Sequence, residues 1–220
     1  MLNIQTAVEN ILLEDIDARN ALVSGYMNMS GYAQKIKDQV EQSTKKPVTT
    51  NAIVVSLSRT KEQLMGEESL IKEVKISNIT TKLPLSELIF ENTSANLAKL
   101  EQFHKKVSFK REDFFTTTIS TTELNVVCSS GMANLVIDHF GQKPKFVAHN
   151  LAAVGISFDQ KYFDVPNILF SLIATVARVN INIAEIVSTY TELIIIVHEK
   201  DFSKVVSLFS NIHKKQIGRI

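Results

Sequence analysis

His104, His139, His149, His198 and His213 are the side chains of this 220-residue chain best suited to proton transfer or metal ligation. None falls in an HExxH pair or another close ligand spacing, and the single cysteine, Cys128, cannot build a thiolate metal centre alone. No pair of carboxylates stands out for general acid and base work: Glu112 and Asp113 adjoin each other beside Arg111, the pattern of a solvated turn. The seven glycines form neither GxGxxG nor GxxxxGKS/T, so the usual dinucleotide and P-loop phosphate cradles are missing, and no GxSxG elbow occurs. These residues give no support to an enzyme, and neither a metal nor a cofactor is expected.

Composition narrows the classes further. A 45% hydrophobic and 21% charged chain is globular in character. With 24 Lys and Arg against 23 Asp and Glu, no global field draws it to nucleic acid or an anionic membrane, so such binding needs a local patch. The longest apolar runs, such as Leu193 to Val197, hold about five residues where a bilayer span needs roughly 20. No membrane span is expected. The N-terminus shows no basic region followed by an apolar core, which points to the cytoplasm. Cys128 follows Leu124-Asn125-Val126-Val127 and reads as a buried strand cysteine in a reducing compartment.

The elements that must position any site fall into three parts: residues 1–66, 70–148 and 149–220. The first reads as helices. Ile4, Val8, Ile11 and Leu12 recur at helical spacing after Asn3, and a short helix follows from Asp17 to Ser24, ended by Gly25. Ser30 is placed to cap a third helix with Tyr32, Ala33, Ile36 and Val40 on one face. Beyond Lys45-Lys46-Pro47-Val48, Thr49 or Thr50 can cap a fourth, carrying Ile53, Leu57 and Leu64. Gly66-Glu67-Glu68-Ser69 looks like a linker, after which β-branched and aromatic runs alternate with helical stretches. Ile71 to Ile76 opens the sheet-rich part, Leu85 to Phe90 is a second apolar run, and Ser94 can cap the next helix.

This order recurs. Phe114 to Phe140 can be laid over Asn182 to Phe209, with Gly131 to Phe140 matching Lys200 to Phe209 at an offset of about 69 residues, and Phe90 matching Phe158. Each copy reads strand, helix, strand, strand, helix, strand. The fold class expected is α+β: two ferredoxin-like βαββαβ units behind an all-α segment.

Asp164-Val165-Pro166-Asn167-Ile168-Leu169 and Ile181-Asn182-Ile183 carry a resemblance. They resemble the ACT domain, a regulatory module with Asp-x-Pro-Gly at the start of its first helix and Ile-Asn-Ile at its second strand. Ala184 to Thr189 with Glu192 to Val197 is similar to the C-terminal ACT pair of aspartokinases. The resemblance spans about residues 70 to 215 and is fainter in the first copy, where Glu91 to Leu97 lacks proline and glycine. It implies a small-molecule ligand, an amino acid or similar metabolite, bound by Asp164, Val165, Pro166, Asn167, Ile168, Asn182 and Ile183, and a homodimer joined through sheet edges. An amino-acid carboxylate suits a helix N-terminus, and Asp164 can receive the ammonium group. The bland alternative is that Asp164 caps the helix and Pro166 fills its first turn. Asn167 stands where the family has glycine; asparagine tolerates a left-handed backbone, but its side chain takes space.

The helical segment supports a second expectation. Residues 30–44 and 49–64 resemble a helix-turn-helix, which would aim Thr49, Thr50 and Asn51 at base edges, with Lys45, Lys46 and Arg59 near phosphates. Asparagine can pair with adenine. Residues 1–66 carry seven basic against seven acidic side chains, so a shared basic face is required, and a solvated helical face is the alternative. Two functions follow: a noncatalytic sensor of an amino acid, or a DNA-binding regulator with the ACT pair as dimerisation platform. A structural interaction protein without a ligand is the third.

Overall fold

The computed structural model describes residues 2–64 and 71–217, and the linker expected at 66–69 lies outside the described residues. The chain divides into two compact units, Met1–Leu70 and Ile71–Ile220.

The first unit holds four helices: Ile4–Glu14 (α1), Ile16–Val23 (α2), Met29–Thr44 (α3) and Thr50–Leu64 (α4). Their starts are fixed by side chains that take up otherwise unpaired backbone N–H groups. Asn3 accepts from the Thr6 amide at 2.8 Å and Asp15 from that of Ala18 at 2.9 Å. The cap of α3 is Asn28, not Ser30: Asn28 Oδ1 accepts from the Gly31 amide at 3.0 Å, and an equally good cap two residues earlier wins another half-turn of helix. Thr49 accepts from Ala52 at 3.3 Å before α4. Gly25, at φ 78°, ends α2 in the left-handed region as expected. Val8, Leu12, Leu22, Ile36, Val40, Ile53 and Leu57 share one buried core.

The second unit is built on one six-stranded antiparallel sheet in the order β2-β3-β1-β4-β6-β5. Its elements are Ile76–Glu91 (β1), Ser94–Lys106 (α5), Phe115–Ile119 (β2), Glu123–Ser129 (β3), Ala133–Phe140 (α6), Phe146–Phe158 (β4), Ile168–Ala177 (α7), Ile183–Ser188 (β5), Glu192–His198 (β6) and Glu199–Ile217 (α8). The two long strands serve both copies. The later half of β1, with β2, β3 and the opening of β4, completes one ferredoxin-like unit beneath α5 and α6. The later half of β4, with β5, β6 and the opening of β1, completes the other beneath α7 and α8. Leu83 and Pro84 fall in the irregular stretch where β1 passes between them; a proline without an N–H fits there. Asn150, at φ 56°, lies within β4 just before its pairing with β6 begins.

Of the expected opening run Ile71 to Ile76 only Ile76 is strand, because residues 71–75 make no strand pairing; from Ile76 one 16-residue strand runs on through the second expected run, Leu85 to Phe90. Its middle, Ser77 to Pro84, is largely exposed, so no apolar alternation marks it. The cap of α5 is Thr93, which accepts from the Asn96 amide at 3.2 Å, in place of Ser94.

Both faces of the sheet are covered. On the helix side, Phe90, Phe103, Val136 and Phe140 form one core and Ile156, Val176, Val205 and Phe209 the other. On the opposite face Leu85 and Val127 meet Leu151, Ala153 and Ile196. The five-residue run Leu193 to Val197 is apolar because it lies between these two layers. In a flat sheet β3 and β5, four places apart, would lie about 19 Å from one another. Asn125 Nδ2 on β3 nevertheless donates to Glu185 Oε2 on β5 at 2.6 Å and to Glu87 Oε1 at 2.7 Å, so the sheet is strongly curled. Burial pushes the Glu87 carboxyl above its ordinary range; the Asn125 hydrogen bond opposes this and the nearby Glu185 charge adds to it. Burial likewise pushes the Cys128 thiol up to about 12.

Candidate functional site

Asn167 is the hinge between the loop after β4 and α7. Its backbone is left-handed at φ 68°, the conformation expected for asparagine in the family's glycine position. It occupies the cap position of α7 without a capping hydrogen bond, so Asp164 and Pro166 do not hold the cap and first-turn places considered for them. The first amides of α7, on Ile168, Leu169 and Phe170, have no intrahelical carbonyl to bond.

A cavity of about 440 Å³ opens at this helix start. Val165, Asn167 and Ile168 line it, together with Leu169 and Phe170 of the first turn. Phe158, at the end of β4, and Tyr162 and Phe163, in the loop, form a second wall. Ser188, Thr189 and Tyr190, at the β5–β6 turn, close the third. Of the residues expected at the site, Asp164 and Pro166 are exposed in the loop and are not among its walls. Asn182 is exposed before β5, and Ile183 pairs with Val197 and packs against the helix-side core, also away from the walls.

The aromatic wall and the β5–β6 turn were not foreseen as site residues. The turn had a signal, since Val187 to Leu193 matched Ile119 to Leu124 in the duplication. Its contact with the loop had none, being set by the sheet: Phe158 N–H donates to Thr191 O at 2.9 Å, which draws the turn to the end of β4. Phe163 and Tyr190 then lie with ring centres 5.1 Å apart.

Two hydrogen bonds tie the site to the segment preceding β1. The Lys75 amide donates to the Tyr162 hydroxyl at 3.0 Å. The Lys72 amide donates to Ser171 Oγ at 2.8 Å, and that hydroxyl donates to the Asn167 carbonyl at 2.7 Å.

In the helical unit, Lys45, Lys46, Thr49, Asn51 and Arg59 are exposed and Thr50 is half-buried. The lysines and arginines of α3 and α4 do not all share one face of their helix. Lys35 and Lys37 are two residues apart on α3, as are Arg59 and Lys61 on α4, and each pair is separated by about 200° around its helix. Lys35 lies 3.7 Å from Asp15, and Lys37 lies 3.8 Å from Glu41. Among the described residues, no group of three or more His, Cys, Asp or Glu is placed to hold a metal ion, and no helix is long and apolar enough to cross a membrane.

No family model matches the sequence, and no curated protein matches it. Solved structures do. The aspartate kinase of Clostridium acetobutylicum superposes with a TM-score of 0.52 at 17% identity, over 63% of this chain and 34% of that enzyme. The aspartate kinase of Synechocystis gives 0.52 at 14% identity, over 67% of this chain and 28% of the enzyme. The regulatory subunit of aspartate kinase from Thermus thermophilus gives 0.50 at 10% identity, over 63% of this chain and 97% of the subunit. The chain spans about a third of the length of these whole kinases but nearly all of the regulatory subunit. Its sheet unit therefore has the ACT-type fold of aspartate kinase regulatory domains.

Proposed function

We propose that this chain is a noncatalytic regulatory protein that senses an amino acid or a similar small metabolite through its paired ACT-type units. The carrying observation is the cavity of about 440 Å³ at the start of α7, within the roughly 300–1,000 Å³ usual for small-molecule sites. A carboxylate placed there meets the amides of the first helical turn and the positive end of the helix dipole. The fold it shares with an aspartate kinase regulatory subunit supports the regulatory half of the reading. The proposal places the protein in the cytoplasm as a homodimer. The uncharged edge strand Phe115-Thr116-Thr117-Thr118-Ile119 offers backbone groups for a second copy.

The test is a thermal-shift screen against the twenty amino acids and common nucleotides. A ligand at about 100 times its dissociation constant adds roughly 2.7 kcal/mol, a shift of several degrees at about 2–4 °C per kcal/mol. A hit that disappears in Ser188→Trp, which fills the cavity, supports the reading; a flat panel overturns it.

The exposure of Lys45, Lys46, Thr49 and Asn51 around the start of α4 favours a second reading, a DNA-binding regulator. The double variant Lys45→Glu, Lys46→Glu then weakens duplex binding and flattens its salt dependence. Unchanged affinity removes this reading.

A further inference from the structure

We infer that the cavity selects an amino acid with an aromatic or large apolar side chain and discriminates against charged ones. This rests on the sensor reading above and names the ligand class for the same site.

The walls carry the argument. Phe158, Tyr162, Phe163, Leu169, Phe170 and Tyr190 are six of the eleven lining residues, and no Asp, Glu, Lys, Arg or His is among them. The carboxylate nearest in sequence, Asp164, is not among the walls. A lysine side chain would find no carboxylate among the lining residues and an aspartate side chain no cation, so either charge would go unpaired wherever it loses water. An apolar side chain meets no such cost.

The polar groups that are present suit the constant part of an amino acid. Ile168, Leu169 and Phe170 of the first turn of α7 line the cavity and bring amides suited to a carboxylate. Ser188 and Thr189 line it too, and their hydroxyls are weakly engaged: Ser188 Oγ to Thr189 O and Thr189 Oγ1 to Glu192 O are both 3.5 Å. Each can turn toward a bound ammonium group.

The mouth of the cavity selects the side chain. Phe163 is 66% exposed and Tyr190 57% exposed, with their ring centres 5.1 Å apart. A ring inserted beside them covers both and gains tilted ring contacts, worth about a two- to tenfold gain in affinity beyond the area buried.

The experiment is isothermal titration of the full chain with L-phenylalanine, L-threonine and L-lysine, repeated with Tyr190→Ala and Ser188→Trp. The expected result is L-phenylalanine binding at least tenfold tighter than either of the others. Tyr190→Ala should weaken it about tenfold with unchanged far-ultraviolet circular dichroism, and Ser188→Trp should abolish it. If L-threonine or L-lysine binds tighter and Ser188→Trp blocks it, the ligand class is wrong while the sensor reading stands. If none of the three binds and the thermal screen is also flat, both fail. L-phenylalanine binding that survives Ser188→Trp overturns the assignment to this cavity.

Discussion

Asn125 and Glu185, sixty residues apart and on strands four places apart in the sheet, are joined by a 2.6 Å hydrogen bond across the concave face. The same amide nitrogen serves Glu87, which is buried, so one neutral donor separates two carboxylates. The native state therefore holds a proton on Glu87 to higher pH than the unfolded chain does, whose ordinary value is 4.5. Stability from this group is present at low pH and is lost as pH rises above that value through the raised native one. Glu87→Gln keeps an acceptor for Asn125 and removes the charge facing Glu185. Urea unfolding between pH 4 and 8 should show the variant gaining on the wild type as pH increases; parallel curves would contradict the assignment.

Phe140 and Phe209 occupy corresponding places on α6 and α8, and both are fully buried. Phe140 stacks on Phe90 with ring centres 4.2 Å apart. Truncating either to alanine should cost about 3–5 kcal/mol by denaturant titration, because rigid cores do not close such cavities. If Phe140→Ala were nearly silent while Phe209→Ala was severe, the two halves would not be structural equivalents.

Tyr162 both lines the cavity and accepts from the Lys75 amide. Tyr162→Phe keeps the ring and removes the acceptor, at a cost of roughly 1 kcal/mol. Amide exchange should accelerate at Lys75 while ligand affinity stays within about threefold. Unchanged exchange there would mean that the hydrogen bond does not hold this segment.

Much of this was legible in the residues. The helix periodicity in residues 4–64, the duplicated order and the left-handed Asn167 all have local causes: apolar spacing, repeated turns and a side chain that tolerates positive φ. What local pattern could not carry was sharing. Ser77 to Pro84 is polar and exposed, so nothing in it announces that it pairs with Gly155 and Ile156 nearly eighty residues later. The aromatic wall escaped for the same reason, since Phe163 and Tyr190 meet only once the strands are in register. Asp164, chosen because its type suits an ammonium group, belongs to the right loop but is not a wall of the cavity.

The divided strands also bear on inheritance. Deleting residues after 148 would leave the first copy without the rest of β4 and strand residues 76–82 with nothing to pair against; deleting residues before 149 would strip the second copy of its fourth strand. The two copies, each completed by strand residues of the other, form a single object. Recombination can move it whole, and cannot profitably move half.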